Sequence, residues 1–353
     1  MQHQQLIFTN QVAHSLDSLL EKSGASSIFV LVDENTHQSV LPKLAGGNKI
    51  ATAKHIIIPP GDIHKNLASL QKVWESLQDH GATRNSMLIN IGGGVVTDLG
   101  GFAAATFKRG IRFVNIPTTL LAAVDAAVGG KTGINFNGFK NEIGAFREAE
   151  AVIISTCFFS TLPDTEIKSG YAEMLKHGLL SSADAYYRLL DFNFEDSDGE
   201  TLLKLLEESV EVKRRIVVQD PEEKGLRRAL NLGHTAGHAF ESLAMQRNAP
   251  IPHGYAVAWG LVVEAVLSNM EEHFDSKYLY SLADYVYRHY GAFGITCDDY
   301  PRLLDFMRHD KKSIAGEYNF SLLRAPGDVV TGCCVEEEKV KSALDIYRDL
   351  MHI

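Results

Sequence analysis

The sequence predicts an α/β half followed by an all-α half, with an N-terminal domain over residues 1–162 and a C-terminal domain over residues 163–353. Three observations carry this. Short apolar runs alternate with helical patterns up to about residue 160. Long amphipathic patterns dominate after Leu162-Pro163. The 353 residues suffice for about two domains of roughly 150 residues each.

The strand candidates are Ser27–Asp33 (SIFVLVD), His55–Ile58, Ser86–Ile91 (SMLINI), Arg112–Ile116 (RFVNI) and Ala151–Ser155. Each is a short apolar run, the pattern of a strand covered on both faces. Helical patterns at Leu67–Gln78 and Val95–Phe107 lie between them. The alternation predicts a parallel, doubly wound, Rossmann-like sheet, which takes ligands beyond the carboxyl ends of its strands. In the second half Asp164 reads as the N-cap of a helix Asp164–Leu180. Thr201–Gln219, Arg227–Met245, Tyr255–Glu272 and Lys277–Tyr290 follow as helices, and Tyr318–Leu323 is a lone β-like stretch.

Composition narrows the function. Lys plus Arg is 34 and Asp plus Glu is 44, a net charge of −10. That balance lacks the basic footprint of a nucleic-acid binder or a polybasic membrane-surface protein. No apolar run of about 18 residues predicts a membrane span, and MQHQQLIFTN does not read as a signal peptide. The four cysteines, Cys157, Cys297, Cys333 and Cys334, fit neither a disulfide framework nor a CxxC zinc pair, so a reducing cytoplasm is expected.

Five constellations carry chemistry. Gly92-Gly93-Gly94 follows a strand and opens a helix, which fits either a tight turn or an anion site at a helix N-terminus. Thr118-Thr119-Leu120-Leu121 follows the next strand and reads as a helix cap or a ribose or phosphate site. The glycine-rich stretch from Gly129 to Gly144, with Lys131, Lys140 and Asn141, reads as a flexible loop presenting lysine to an anion. It lacks the upstream glycine of a P-loop. His234 and His238 are four apart and share one helix face, a spacing that suits a divalent metal, and by spacing alone they form the ligand pair. His253 and Glu173 are the further donors. Lys213, Arg227, Arg228, Lys311 and Lys312 form a cationic set that reads equally well as solvated surface charge.

Taken together, these motifs resemble the 3-dehydroquinate synthase family over nearly the whole chain. The carriers are GGGVVTDLGGFAAATFKRGIRFVNIPTTLLAAVDAAVGGKTGINFNGFKNEIGAF (Gly92–Phe146), GYAEMLKHG, EEKGLRRALNLGHTAGHAFE, PHGYAVA and Asp310-Lys311-Lys312, in family order. The resemblance implies an NAD-binding α/β domain and a helical domain that binds zinc or cobalt. It implies conversion of 3-deoxy-D-arabino-heptulosonate 7-phosphate to 3-dehydroquinate and phosphate in the shikimate pathway, by a cytoplasmic homodimer. Another sugar phosphate cyclase, or a metal-dependent alcohol dehydrogenase such as a glycerol dehydrogenase, is the alternative.

The resemblance also implies residue roles. Gly93, Gly94, Val95, Asp98, Thr118, Thr119, Leu121, Lys140, Phe158, Thr161, Leu162 and Glu166 contact NAD, and Asp33, Asn35, Asp62 and Lys65 hold its adenosine end. Glu173, His234 and His253 bind the metal, which makes His238 a catalytic or substrate-orienting residue instead of a ligand. Asp125, Lys176 and Asn231 face the substrate hydroxyls, with Glu223 in support. Lys213 and Arg227 bind the carboxylate. Lys131, Asn141, Lys311 and Lys312 bind the phosphate, with Arg109 reaching in from a partner subunit. The chain departs from the family at Asp62, where a glutamate is usual.

Overall fold

The computed structural model describes residues 4–44, 46, 49–194, 198–309 and 318–353. The chain forms two compact units. One holds residues 1–163 and 198–210, and the other holds residues 164–197 and 211–353. The division is therefore not a single cut.

The first unit is built from β1 (Gln5–Phe8), α1 (Val12–Ser23), β2 (Ile28–Asp33), α2 (Glu34–Ser39), β3 (Lys54–Ile58), α3 (Leu67–Asp79), β4 (Met87–Gly92), α4 (Gly94–Thr106), β5 (Arg112–Pro117), β6 (Lys131–Phe136), β7 (Phe139–Phe146) and β8 (Ala151–Ile154). Six strands form one sheet in the order β1-β8-β5-β4-β2-β3, and every pairing in it is parallel. The five apolar runs read from the sequence supply five of these strands. Their central residues, such as Val30, Leu31, Leu88, Ile89 and Val114, are wholly buried. Each such side chain contributes about 1.5–3 kcal/mol. The chain leaves β2 for the edge strand β3 and returns on the other side of β2 as β4. The topological switch point, where ligands bind in such sheets, is therefore at the carboxyl ends of β2 and β4. Asp33 and Gly92-Gly93 occupy those two ends.

The segment expected to be a flexible loop is an antiparallel hairpin instead, with Lys131 paired to Phe146 and Phe136 to Phe139. Its second strand is exposed along nearly its whole length, so it lacks the buried apolar run that marks the other strands.

In the second unit lie α5 (Asp164–Ser181), α6 (Ala183–Leu190), the end of α7 (Gly199–Gln219), α8 (His234–Gln246), α9 (His253–Glu272), α10 (Ser276–Tyr290), α11 (Tyr300–His309), β9 (Tyr318–Ala325), β10 (Asp328–Val335) and α12 (Glu337–Leu350). Helix α9 is the pillar. It is buried without interruption from Ala256 to Ser268 and packs on α5, α8, α10, α12 and β9. A helix apolar on all sides belongs in a core.

Three local expectations are corrected here. Asp164 is the first residue of α5 and not its cap. The lone β-like stretch is one arm of the β9–β10 hairpin. Arg227–Met245 is not one helix, because Leu226–Asn231 is a 3-10 turn and Gly233, with φ 79°, separates it from α8. Among the described residues no disulfide forms, and no helix is long and apolar enough to cross a membrane.

Candidate active site

In the second unit three helix segments converge. Glu173 lies on α5, and His234 and His253 are the first residues of α8 and α9. Donor atoms of the three lie within 4.8 Å of one another. The Glu173 Oε1 atom is 3.4 Å from His234 Nε2 and 3.7 Å from His253 Nε2. Close backbone packing makes this possible, since a Cβ on Gly254 would lie 1.9 Å from the Ser169 carbonyl.

The outer face of each ring is held. His234 Nδ1 donates to the Leu232 carbonyl at 3.1 Å, and His253 Nδ1 donates to Glu241 Oε2 at 3.1 Å. Both Nε2 atoms are thereby directed at Glu173. Its carboxylate is wholly buried, and Oε1 takes no hydrogen bond. Two nitrogen lone pairs facing a carboxylate oxygen repel one another unless a cation lies among them. A glutamate with two histidines is also a donor set of catalytic zinc sites that keep a fourth position open. The residues fit a divalent metal.

Burial tends to raise the Glu173 pKa, but Lys176, paired with Oε2, and His234 hold the carboxyl well below the usual range. Burial, aided by Lys176, pushes His234 down to about 4. Burial opposes protonation of His253 too, yet Glu173 and Glu241 outweigh it and carry the ring up to about 10. Without metal, a proton on His253 takes the cation's place.

His238 does not join His234 in this group. It is exposed and falls with Glu241 and His253 in a second cluster, its ring 5.9 Å from that of His253. Lys176, paired with Glu173, and Lys213 and Arg227 elsewhere in the second unit are buried cations. Asn231 donates to Glu223 at 3.2 Å, and Arg227 donates to the Pro221 carbonyl at 2.7 Å. Lys311 and Lys312 lie outside the described residues.

The first unit offers backbone more than side chains. The cap residue of α4 is Gly93, with no side-chain cap, so the first amides of the helix at Gly94 and Val95 are available to an anion. This fits a dinucleotide pyrophosphate at the switch point. Asp33 is engaged locally, where its carboxylate caps α2 through the Thr36 amide. Thr119 likewise caps its own turn through Ala122. Asp125 sits in a π-helical turn, Ala122–Ala126, a feature frequent at functional sites. Lys65 is buried and donates to both Asp98 and Asn141. Asp62 accepts from Asn135 at 3.2 Å. Lys131 and Lys140 are exposed, as are Asn35, Thr161 and, in the second unit, Glu166. Leu121 and Leu162 are half-buried, whereas Thr118 and Phe158 are buried. Arg109 follows α4 in a left-handed pair with Lys108, φ 65° and 51°. It lies at the opposite end of that helix from Gly93, about 20 Å away along the axis.

Sequence reasoning did not single out three acids. Glu241 holds His253. Asp220 gathers the amides of Lys224, Gly225 and Arg227 into the loop that presents Arg227. The third, Glu264, is wholly buried under the start of α8. Only Glu241 has a sequence signal, its seven-residue spacing from His234, which puts both on one helix face.

Comparison with known proteins gives the family and the fold. A family model described as 3-dehydroquinate synthase N-terminal matches residues 55–169, and one described as 3-dehydroquinate synthase C-terminal matches residues 170–313. A 3-dehydroquinate synthase from Parabacteroides distasonis is 45% identical over 349 residues, covering 99% of both chains. Among solved structures, a 2-deoxy-scyllo-inosose synthase superposes with TM-score 0.82 at 22% identity, covering 97% of this chain and 96% of that one. ValA, a 2-epi-5-epi-valiolone synthase from Streptomyces hygroscopicus solved with NAD+ and Zn2+ bound, superposes with TM-score 0.81 at 23% identity, covering 98% and 97%. At such identity these two speak for the fold.

Proposed function

The chain belongs to the 3-dehydroquinate synthase family, and from that premise we propose how its residues divide the work. It converts 3-deoxy-D-arabino-heptulosonate 7-phosphate into 3-dehydroquinate and phosphate, a carbon–oxygen lyase reaction of the shikimate pathway with transient reduction of NAD. When bound, NAD supplies a hydride acceptor that returns the hydride within the cycle, and zinc or cobalt supplies a Lewis acid at the substrate hydroxyl.

Glu173, His234 and His253 hold the metal. Their convergence from three helices, with both rings fixed from behind, is the observation that carries the reading. Lys176, Asn231 and Asp125 orient the hydroxyls, Glu223 steadies Asn231, and His238 donates from the ring cluster. Lys213 and Arg227, buried cations both, take the carboxylate. Lys131, Asn141, Lys311 and Lys312 take the phosphate. A ketone at carbon 5 acidifies the hydrogen at carbon 6, and the departing phosphate accepts that proton itself. Fixing the substrate at both charged ends contributes about 7–11 kcal/mol through orientation.

Gly93, Gly94 and Val95 take the pyrophosphate of NAD. Asp98, Thr118, Thr119, Leu121, Lys140, Phe158, Thr161, Leu162 and Glu166 line the rest of the cofactor, and Phe158, being buried, contributes through its backbone. Asp33, Asn35, Asp62 and Lys65 hold the adenosine end. NAD falls to the unit of residues 1–163 and 198–210, and the metal to the unit of residues 164–197 and 211–353, in place of a single cut after residue 162. Arg109, a helix length away from the glycine turn of its own chain, serves the phosphate of a partner in a homodimer. The cysteine spacing, which fits no disulfide framework, supports a cytoplasmic location.

The test is phosphate release from the heptulosonate phosphate with catalytic NAD. Stoichiometric NADH without phosphate would point to an alcohol dehydrogenase, and activity on a sugar phosphate lacking the carboxylate would point to a different cyclase.

A further inference from the structure

We propose that Glu264 is a positioning residue for the metal ligand His234, acting through the backbone at the start of α8. The inference rests on the metal site proposed above. Glu264 lies on α9, eleven residues after His253. That is about 16 Å along the helix, too far for it to join the ligands itself. Its carboxyl group is wholly buried and accepts the Gly233 amide at 2.6 Å through Oε2 and the Ala236 amide at 3.3 Å through Oε1.

These amides belong to the first turn of α8, whose donors have no partner within the helix. Gly233, the cap residue, has no side chain to satisfy them and cannot be given one. Its φ is 79°, and a Cβ there would lie 2.8 Å from Leu261. The cap must therefore come from another element, and α9 supplies it. One turn earlier on α9, Gly260 meets the other side of the same residue, since a Cβ on Gly260 would lie 2.0 Å from the Gly233 carbonyl. Helix α9 thus clamps Gly233 by its amide and its carbonyl. The next residue is His234, whose Nδ1 is tied to the carbonyl of Leu232 just before the clamp. The ring direction is set by this three-residue turn, so the clamp on its middle residue sets where Nε2 points. The helix that begins with one ligand, His253, holds the backbone that aims the second. A buried carboxyl group is expensive to desolvate, and an ordinary polar cap would satisfy the helix at a smaller penalty.

The test compares the metal-free full chain with its Glu264→Gln variant. Gln keeps the size but turns an amide N–H toward a backbone N–H. Cobalt affinity is measured by competition with a chromophoric chelator, and the geometry is read from the d–d absorption of the cobalt-loaded protein. The expected result is an affinity about 10–100-fold weaker, as for outer partners of metal ligands, with altered d–d bands and unchanged NAD affinity. Equal cobalt affinity and superimposable bands would overturn the proposal, even if the variant melts earlier, because Glu264 is then a helix cap only. Absence of cobalt binding by the unaltered chain would overturn the metal site itself and the proposal with it. If the variant does not fold, hydrogen exchange in the unaltered chain decides. The Gly233 and Ala236 amides are expected to slow about tenfold or more on adding cobalt, and unchanged exchange overturns the proposal.

Discussion

The two units offer different kinds of candidate contact. In the first, many candidate contacts are exposed or backbone groups, among them the uncapped turn at Gly93, Lys131 and Lys140 on the hairpin, and Thr119, which caps its own turn, although Lys65, Thr118 and Phe158 are buried. In the second, the candidates are buried charges, with Glu173, Lys176, Lys213 and Arg227 at 0, 1, 5 and 3% exposure. A dinucleotide is bound by many modest contacts, and amides at a helix N-terminus meet a pyrophosphate with little desolvation. A metal and a carboxylate demand charges withdrawn from water, where each interaction is stronger and each omission more damaging. Substitutions in the second unit should therefore have larger and more specific effects.

The largest effect is expected at the ligands. Glu173→Gln should abolish metal uptake, measured by metal content after dialysis, and reduce kcat beyond the roughly 10–100-fold typical of outer partners. Retention of a full metal equivalent would break the comparison at its strongest point. Arg227→Ala comes next. Hydrogen bonds to a charged group contribute about 1.5–3 kcal/mol, so KM for the heptulosonate phosphate should rise about 10–100-fold with KM for NAD unchanged. An unaltered KM would remove Arg227 from the carboxylate.

A smaller effect concerns protons. His234, held near 4, is already neutral at pH 8, whereas His253, raised to about 10, is charged. Metal uptake at pH 8 should release about one proton per ion, read by calorimetry in buffers of different ionisation enthalpy. Because the folded-state value of His253 lies above its ordinary one, its contribution to metal-free stability is complete below about pH 6.5 and is lost as pH rises toward 10. Uptake without proton release would show that His253 is neutral before the metal arrives. The smallest effect is expected in the first unit. Lys65→Met removes the bonds to Asp98 and Asn141, and KM for NAD should rise severalfold while cobalt affinity stays within about twofold. A loss of cobalt affinity would mean that the two halves are not separable.

Legibility in the sequence follows burial. Strands β2, β4, β5 and β8 were readable because each is an apolar run covered on both faces. The β6–β7 hairpin was not, because β7 is exposed along nearly its whole length and β6 is buried only over Thr132, Gly133 and Ile134, too short a run to mark a strand. The short edge strand β1 takes its strand character from pairing with β8. The break before α8 was invisible because Gly233 reads as one more residue in a helical pattern until Gly260 and Leu261 are placed against it.

The sequence by itself determined the two-part class, the glycine turn after β4 and the family to which its motifs belong. These depend on local periodicity and on residue types at short spacing, which the chain carries wherever it is folded. Only the tertiary structure brings donor atoms of Glu173, His234 and His253, the set the resemblance implies, within 4.8 Å of one another, and shows Glu241, Asp220 and Glu264 as structural anchors instead of solvated charges. Each of those assignments depends on which helix lies against which, and a carboxylate looks the same in sequence whether water or a backbone amide faces it.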